Sequence, residues 1–144
     1  MDRSLNYLAI ARKAGLVELG EEPVGAAARA LHARLIAVAK DASDHTWRRA
    51  KSFAAGTDQQ CVRTPFTKDE MGFAVGRQEL SLAAFTDPAL ALEFAKAMPG
   101  CDSAVVEALQ VKADRVKQHR KEAASHARNV RTGKSRRGTD TKKD

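Results

Sequence analysis

An uninterrupted apolar run, residues 35–39, stands out in the pattern along the chain, and Lys40-Asp41-Ala42-Ser43 follows it. A short apolar run that ends in turn and capping residues is typical of a buried strand leading into a helix. A strand that is apolar on both faces lies in a sheet covered on both sides. We therefore predict that this strand forms the centre of a small α/β domain.

Helical and strand-like patterns alternate on either side of this run. Helical spacing of apolar residues predicts helices over residues 4–14, 21–32, 43–55, 67–75 and 88–98, and shorter apolar stretches predict strands over residues 16–19, 60–63 and 80–85. Alternation of this kind is typical of an α/β protein. The expected fold class is a three-layer α/β/α sandwich with a small central mixed sheet.

Two of the predicted helix starts have clear capping signals. Thr67-Lys68-Asp69-Glu70 has the form of a capping box, and Phe66 and Met71 occupy the staple positions around it. Asp87-Pro88 offers an N-cap followed by proline in the first helical position, where a missing N–H costs nothing. Ser43 or Asp44 can cap the helix that follows the central strand.

The apolar pattern weakens after residue 100. Val105, Leu109, Ala113 and Val116 form a narrow stripe on a helix-prone segment, and residues 128–144 have almost no apolar side chains. A segment of that composition cannot bury enough surface to fold alone. We predict a domain over residues 1–100, a basic helical extension over 101–127 and a disordered basic tail over 128–144.

Positive charge is concentrated in the same C-terminal part. Residues 1–109 carry a net charge of −1 and residues 110–144 a net charge of +8, which together give the total of +7. A basic terminal block associates with polyanions, although it can also serve solubility alone. The candidate RNA-binding residues in this segment are Lys112, Arg115, Lys117, Arg120, Lys121, Arg128, Arg131, Lys134, Arg136 and Arg137.

Several functional classes have no support in the sequence. There is no apolar run of membrane-spanning length and no signal-peptide core at the amino terminus, so we expect a cytoplasmic protein. Cys61 and Cys101 have no metal-ligand spacing and are expected to be unreactive thiols in a reducing compartment. No cofactor or metal is expected.

Catalytic patterns are also absent. The chain has no nucleophile elbow and no phosphate-binding loop of the Gly-Lys-Ser or Gly-Lys-Thr type. Asp41 and Asp44 could form a carboxylate pair, but helix capping is the preferred interpretation. We therefore expect a protein that is not an enzyme.

Glycines and cations at the ends of predicted elements indicate a second candidate surface. Gly15, Gly20 and Gly76 are expected to cluster at one edge of the sandwich, where glycine and helix N–H groups permit close approach of a nucleic-acid backbone. The candidate RNA-binding residues of this domain are Arg12, Lys13, Gly20, Lys40, Lys68 and Arg77. Taken singly, these residues are ordinary caps and surface charges, and only their combination with the basic tail favours RNA or DNA binding.

Five segments in sequence resemble one protein family. They are residues 7–15, Gly20-Glu21-Glu22, residues 36–43, residues 67–77 and Phe85-Thr86-Asp87. In this order and spacing they resemble the bacterial YlxQ-like branch of the ribosomal protein L-seven-Ae superfamily, which binds kink-turn RNA. The resemblance covers residues 4–98 and implies a monomeric, non-catalytic RNA-binding domain whose partners are ribosomal or other structured RNA, the ribosome or translation factors.

The chain departs from this family at the residues that read the RNA. The family carries a Gly-x-Asn-Glu-x-x-Lys-like motif at the start of its second helix. Gly20 matches, whereas Glu22, Pro23 and Ala26 replace the Asn, Glu and Lys. Negative charge at a helix N-terminus and loss of a lysine both disfavour phosphate binding. These changes argue against kink-turn recognition in its familiar form.

The function expected from the sequence is RNA binding, with the domain docking on structured RNA and the basic tail adding non-specific affinity. Two alternatives belong to a different class: a protein-interaction module, or an accessory subunit of an RNA-processing or translation-factor complex. The charge of the tail does not distinguish RNA from DNA, because both present the same phosphates.

Overall fold

Helices and strands alternate along the chain as the sequence predicts. The computed structural model describes the backbone of residues 2–132 and the side chains of residues 2–127. Its elements are α1 (Arg3–Ala14), β1 (Val17–Leu19), α2 (Glu21–Arg29), β2 (Leu35–Val38), α3 (Asp44–Ala54), β3 (Gln60–Arg63), α4 (Lys68–Ala74), β4 (Leu82–Phe85), α5 (Pro88–Ala97) and α6 (Ser103–Thr132).

The four strands form one mixed sheet in the order β1-β4-β2-β3. Strand β3 is parallel to β2, whereas β4 is antiparallel to both β1 and β2, with Leu19 opposite Ala83 and Val38 opposite Leu82. Every residue of β2 is buried, as expected for an inner strand covered on both faces. The predicted central strand is thereby confirmed.

Helices cover both faces of this sheet. α2 packs against α3 in one layer, and α1 packs against α4 and α5 in the other. The core between the second layer and the sheet contains Phe85 and Phe94, whose ring centroids are 4.9 Å apart, with Phe66 in edge contact with Phe94. The predicted three-layer sandwich with a small mixed sheet is confirmed.

The predicted helix caps form as expected. The Thr67 hydroxyl accepts a hydrogen bond from the Glu70 N–H while the Glu70 carboxylate accepts one from the Thr67 N–H, which completes the capping box. The Ser43 hydroxyl caps α3, and the Asp87 carboxylate caps α5 by accepting from the Leu90 N–H. Local sequence therefore sets these three helix starts.

Helix α2 is shorter than predicted. It ends at Arg29 rather than near His32, because the chain turns at Leu31, which has a left-handed φ of 62° and is 58% exposed. The Leu31 and His32 N–H groups bond back to carbonyls of the last helical turn. This helix end is usually formed by glycine, which explains why the sequence did not reveal it.

The chain divides into two compact units. The first extends to Lys112, whereas the sequence predicted a domain boundary at residue 100. Val105 and Leu109 on α6 are buried, and the Lys112 ammonium pairs with Asp58 at 2.5 Å. The second unit begins at Ala113, and its described part is helical. Helix α6 includes residues 128–132, which the sequence assigned to the tail, and residues 133–144 lie outside the described residues.

Candidate nucleic-acid interface

One end of the sheet gathers the starts of three helices. Strands β1, β2 and β3 run in the same direction, so their carboxyl ends meet there together with the start of β4. Helices α2, α3 and α4 each begin directly after these strands. We call this surface the helix-start edge and define it as residues 20–23, 39–43, 64–68 and 76–81.

Arg77 lies over Gly20 at the start of α2. A Cβ atom placed on Gly20 would be 4.0 Å from an Nη atom of Arg77, and the Gly20 φ of 95° favours glycine. No side chain among residues 2–127 caps this helix, so the N–H groups of Glu21 and Glu22 lack the side-chain acceptor found at α3 and α4. An uncapped helix start beside a guanidinium group is suited to an anion.

The acidic residues at this helix start are partly neutralised. The Arg49 Nε atom lies 3.1 Å from a Glu21 carboxylate oxygen, although both side chains are more than a third exposed. Arg49 also lies over the Phe53 ring, 5.3 Å from its centroid, which holds the guanidinium in place. Within the described residues, Glu22 has no such ion pair. One of the two negative charges that disfavour phosphate is therefore offset by α3.

Lys40 and Lys68 lie at the same edge. The Lys40 side chain is exposed, and the backbone N–H of Lys40 donates to the Phe66 carbonyl oxygen. The Lys68 Nζ atom lies 3.8 Å from a Glu79 carboxylate oxygen. The Asp41 carboxylate accepts a hydrogen bond of 2.8 Å from the Lys68 N–H. This contact bears out the capping interpretation of Asp41, and it occupies a donor of α4 that an anion would otherwise use.

Arg12, Lys13 and Gly15 lie at the opposite end of the sheet, so the expectation that Gly15 clusters with Gly20 and Gly76 is wrong. Gly15 ends α1 in a left-handed conformation, and the next residue, Leu16, accepts a hydrogen bond from the Thr86 N–H beyond the far end of β4. Strand β1 separates the two glycines, and each strand residue advances the chain by about 3.3 Å. The topology thus divides the predicted cations into two groups.

The cations after residue 109 also divide into groups. Lys112 is in contact with Asp58 and its side chain is only 23% exposed, so it is less available than the sequence implied. Lys117 and Lys121 are exposed on α6, as are Arg115 and Arg120. The side chains of Arg128 and Arg131, and all of Lys134, Arg136 and Arg137, lie outside the described residues.

Sequence reasoning assigned no role to a basic and aromatic cluster on α3 and β3. The Lys51 Nζ atom lies 5.3 Å from the centroid of the Trp47 ring, and the Arg63 guanidinium carbon lies 5.2 Å from it. The i, i+4 spacing of Trp47 and Lys51 was visible in the sequence. Arg63 is distant along the chain and joins them only through the packing of α3 against β3.

Neither cysteine is activated. Burial raises the pKa of the Cys61 thiol to about 12, although the nearby Lys51 acts in the opposite direction. Burial and the neighbouring Asp102 raise the pKa of Cys101. Both thiols therefore remain protonated near neutral pH. A reactive cysteine needs the thiolate form, so neither side chain is suited to act as a nucleophile.

Within residues 2–132, no helix combines the length and the apolar character that a membrane crossing requires.

The comparisons with known proteins identify the fold. No protein-family model matches the sequence, and no curated protein is significantly similar to it. A protein of unknown function from Bacillus halodurans is similar with a TM-score of 0.62 and 19% identity, over 74% of this chain and 99% of that chain. A 15.5 kD RNA-binding protein from Giardia lamblia has a TM-score of 0.56 and 18% identity, over 73% of this chain and 85% of that one. The chain shares the fold of these proteins.

Proposed function

We propose that this chain is a non-catalytic RNA-binding protein that docks on structured RNA through its helix-start edge. The observation that carries the proposal is the position of Arg77 over Gly20 at the uncapped start of α2. Backbone N–H donors and a guanidinium group in one place can bind the same phosphate. Lys40 lies at this edge with an exposed side chain, and Lys68 supplies a second ammonium.

The fold adds support because a structure of the same fold is an RNA-binding protein from Giardia lamblia. The five segments that resemble the YlxQ-like branch of the L-seven-Ae superfamily point in the same direction, and with them we propose a ribosomal or other structured RNA as the partner. Glu22 is unpaired among the described residues and Pro23 has no N–H, so the contacts differ from those of the kink-turn motif. We propose docking by phosphate contacts, with Arg77 as the main residue.

The binding contribution of Arg77 is testable with a matched control. Arg77→Gln should weaken binding of a ribosomal RNA fragment by about tenfold or more, since charge-assisted contacts contribute about 1.5–3 kcal/mol. Arg12→Gln removes the same charge at the opposite end of the sheet and should change the affinity less than twofold. Equal loss in both variants would show that only the overall charge matters and would contradict docking at this edge.

The basic C-terminal segment is proposed to add affinity without sequence preference. Each neutralised phosphate contributes about −0.7 to −0.9 to the slope of log K against log salt. Deleting residues 113–144 should remove most of this slope, and the cut after Lys112 retains the Asp58 contact and the buried Leu109. An unchanged slope would refute this role of the segment.

A protein partner is the second candidate, and one surface favours it. Phe73 is 77% exposed and borders a groove of about 350 Å³ together with Leu5, Asp2, Asp69 and Glu70. An apolar floor with an acidic rim suits a basic, apolar segment of another protein. If residues 1–112 bind no RNA at any salt concentration, a protein partner is the preferred candidate. The variant Phe73→Ser then tests this groove, because it removes the exposed ring without changing the helix-start edge.

A further inference from the structure

A second groove lies on the outer side of β3. It has a volume of about 280 Å³ and is lined mainly by Trp47, Cys61, Val62, Arg63, Met98 and Val105, and the acidic residue Asp102 also lines it. Small-molecule sites begin at about 300 Å³, so this space suits one planar ring system rather than a larger ligand. Its walls are mainly apolar, as a site for a flat aromatic group requires.

The edge of β3 supplies hydrogen-bonding groups to this groove. The Gln60 and Thr64 N–H groups bond to carbonyls at the two ends of β2, and β3 is the last strand of the sheet in the described part of the chain. Because backbone groups alternate in direction along a strand, the N–H and C=O groups of Cys61 and Arg63 point away from β2. These groups can pair with the edge of a base.

The cations beside the groove are held in position. Lys51 and Arg63 both lie within 5.3 Å of the centroid of the Trp47 ring, and an Arg63 Nη atom donates a hydrogen bond of 3.2 Å to the Ala42 carbonyl. None of the ion pairs among residues 2–127 involves either cation. Two positioned cations without an ion-pair partner in that part of the chain, next to an aromatic ring, are a combination that proteins use to bind single-stranded nucleic acids.

We infer that this groove binds one unpaired nucleotide of RNA, with the base between Trp47 and Val105 and the adjoining phosphate between Lys51 and Arg63. This rests on the proposed RNA-binding function and adds a separate single-strand contact on α3 and β3. An added protein strand fits less well, because within β3 just two residues, Cys61 and Arg63, direct their backbone groups away from β2, and Pro65 follows without an N–H. The occupant is therefore a nucleotide rather than a peptide.

The chain contains a single tryptophan, so Trp47 fluorescence reports directly on the groove. A short fluorescein-labelled oligouridylate is titrated into the full chain, and binding is followed by anisotropy while an unlabelled copy is used for Trp47 quenching. We expect saturable quenching that follows the anisotropy curve. The Lys51→Gln/Arg63→Gln double variant should bind about tenfold more weakly, with an unchanged circular dichroism spectrum.

The matched control removes two cations from the other helical layer. Arg3→Gln/Lys96→Gln should lower the affinity less than threefold, because these residues lie on α1 and α5 and neither lines the groove. RNA binding without quenching, or equal loss in both double variants, would overturn the groove assignment and leave RNA binding at the helix-start edge intact. Absence of binding to both oligouridylate and the ribosomal RNA fragment would overturn both proposals, and quenching by an acidic peptide but not by oligouridylate would assign the groove to a protein partner.

Discussion

Gly72 is the residue whose substitution tests the packing of the helix-start edge most directly. It lies buried in α4, where the chain of residues 77–79 crosses it: a Cβ atom at Gly72 would be 2.6 Å from the Glu79 Cα atom, 2.8 Å from its N atom and 2.9 Å from the Arg77 carbonyl oxygen. Carbon atoms pack at about 3.5 Å, so the backbone would have to move by roughly 1 Å.

The magnitude follows from two opposing terms. Gly72→Ala gains about 1 kcal/mol in helix propensity. Overpacking against a backbone costs about 1–3 kcal/mol. This cost can exceed the gain in helix propensity, because the loop cannot move away freely: the Arg77 N–H bonds to the Gly72 carbonyl and the Leu80 N–H bonds to the Lys68 carbonyl. The difference between these terms is an expected net loss of up to about 2 kcal/mol in the free energy of unfolding, together with weaker RNA binding because Arg77 is displaced from Gly20.

Gly25→Ala is the matched control in α2. Its added Cβ atom would meet only side-chain atoms, Phe53 Cζ at 3.1 Å and Arg29 Nη1 at 3.3 Å, which can shift. We expect its stability to stay within about 1 kcal/mol of the wild type. Urea denaturation followed by Trp47 fluorescence measures both variants. A Gly72→Ala protein as stable as Gly25→Ala, with full RNA affinity, would refute the close approach and its role in positioning Arg77.

Two further predictions concern stability. Leu31→Gly should raise the free energy of unfolding by about 0.5–1 kcal/mol, since it relieves a left-handed φ of 62°, whereas Ala30→Gly should lower it; thermal denaturation that ranks them the other way would contradict this. Cys61 has its pKa raised from 9.0 to about 12, so the folded state keeps a proton that the unfolded state loses. Between pH 9 and 12 the wild type should therefore lose up to about 1.4 kcal/mol per pH unit relative to Cys61→Ala, whereas below pH 9 the difference in stability between the two proteins should not change with pH, as urea denaturation at each pH would show.

The sequence by itself determined the order of elements and most of their starts. The apolar run from Leu35, the capping box at Thr67 and the Asp87-Pro88 pair act through neighbours in the chain, so their structural effect can be read locally. The end of α2 before Leu31 could not be predicted from the local sequence, because leucine adopts a left-handed conformation only where the surrounding structure imposes it. The basic character of the segment after residue 109 is likewise a property of composition alone.

Only the tertiary structure decided which cations share a surface. Sheet order and strand direction place Arg77 at Gly20, and they place Arg12 at the opposite end, although the sequence gives no reason to separate them. The same packing brings Arg63 to Trp47 and pairs Lys112 with Asp58, contacts between residues far apart in the chain. Proximity of this kind depends on how the layers assemble, and neither periodicity nor local charge contains that information.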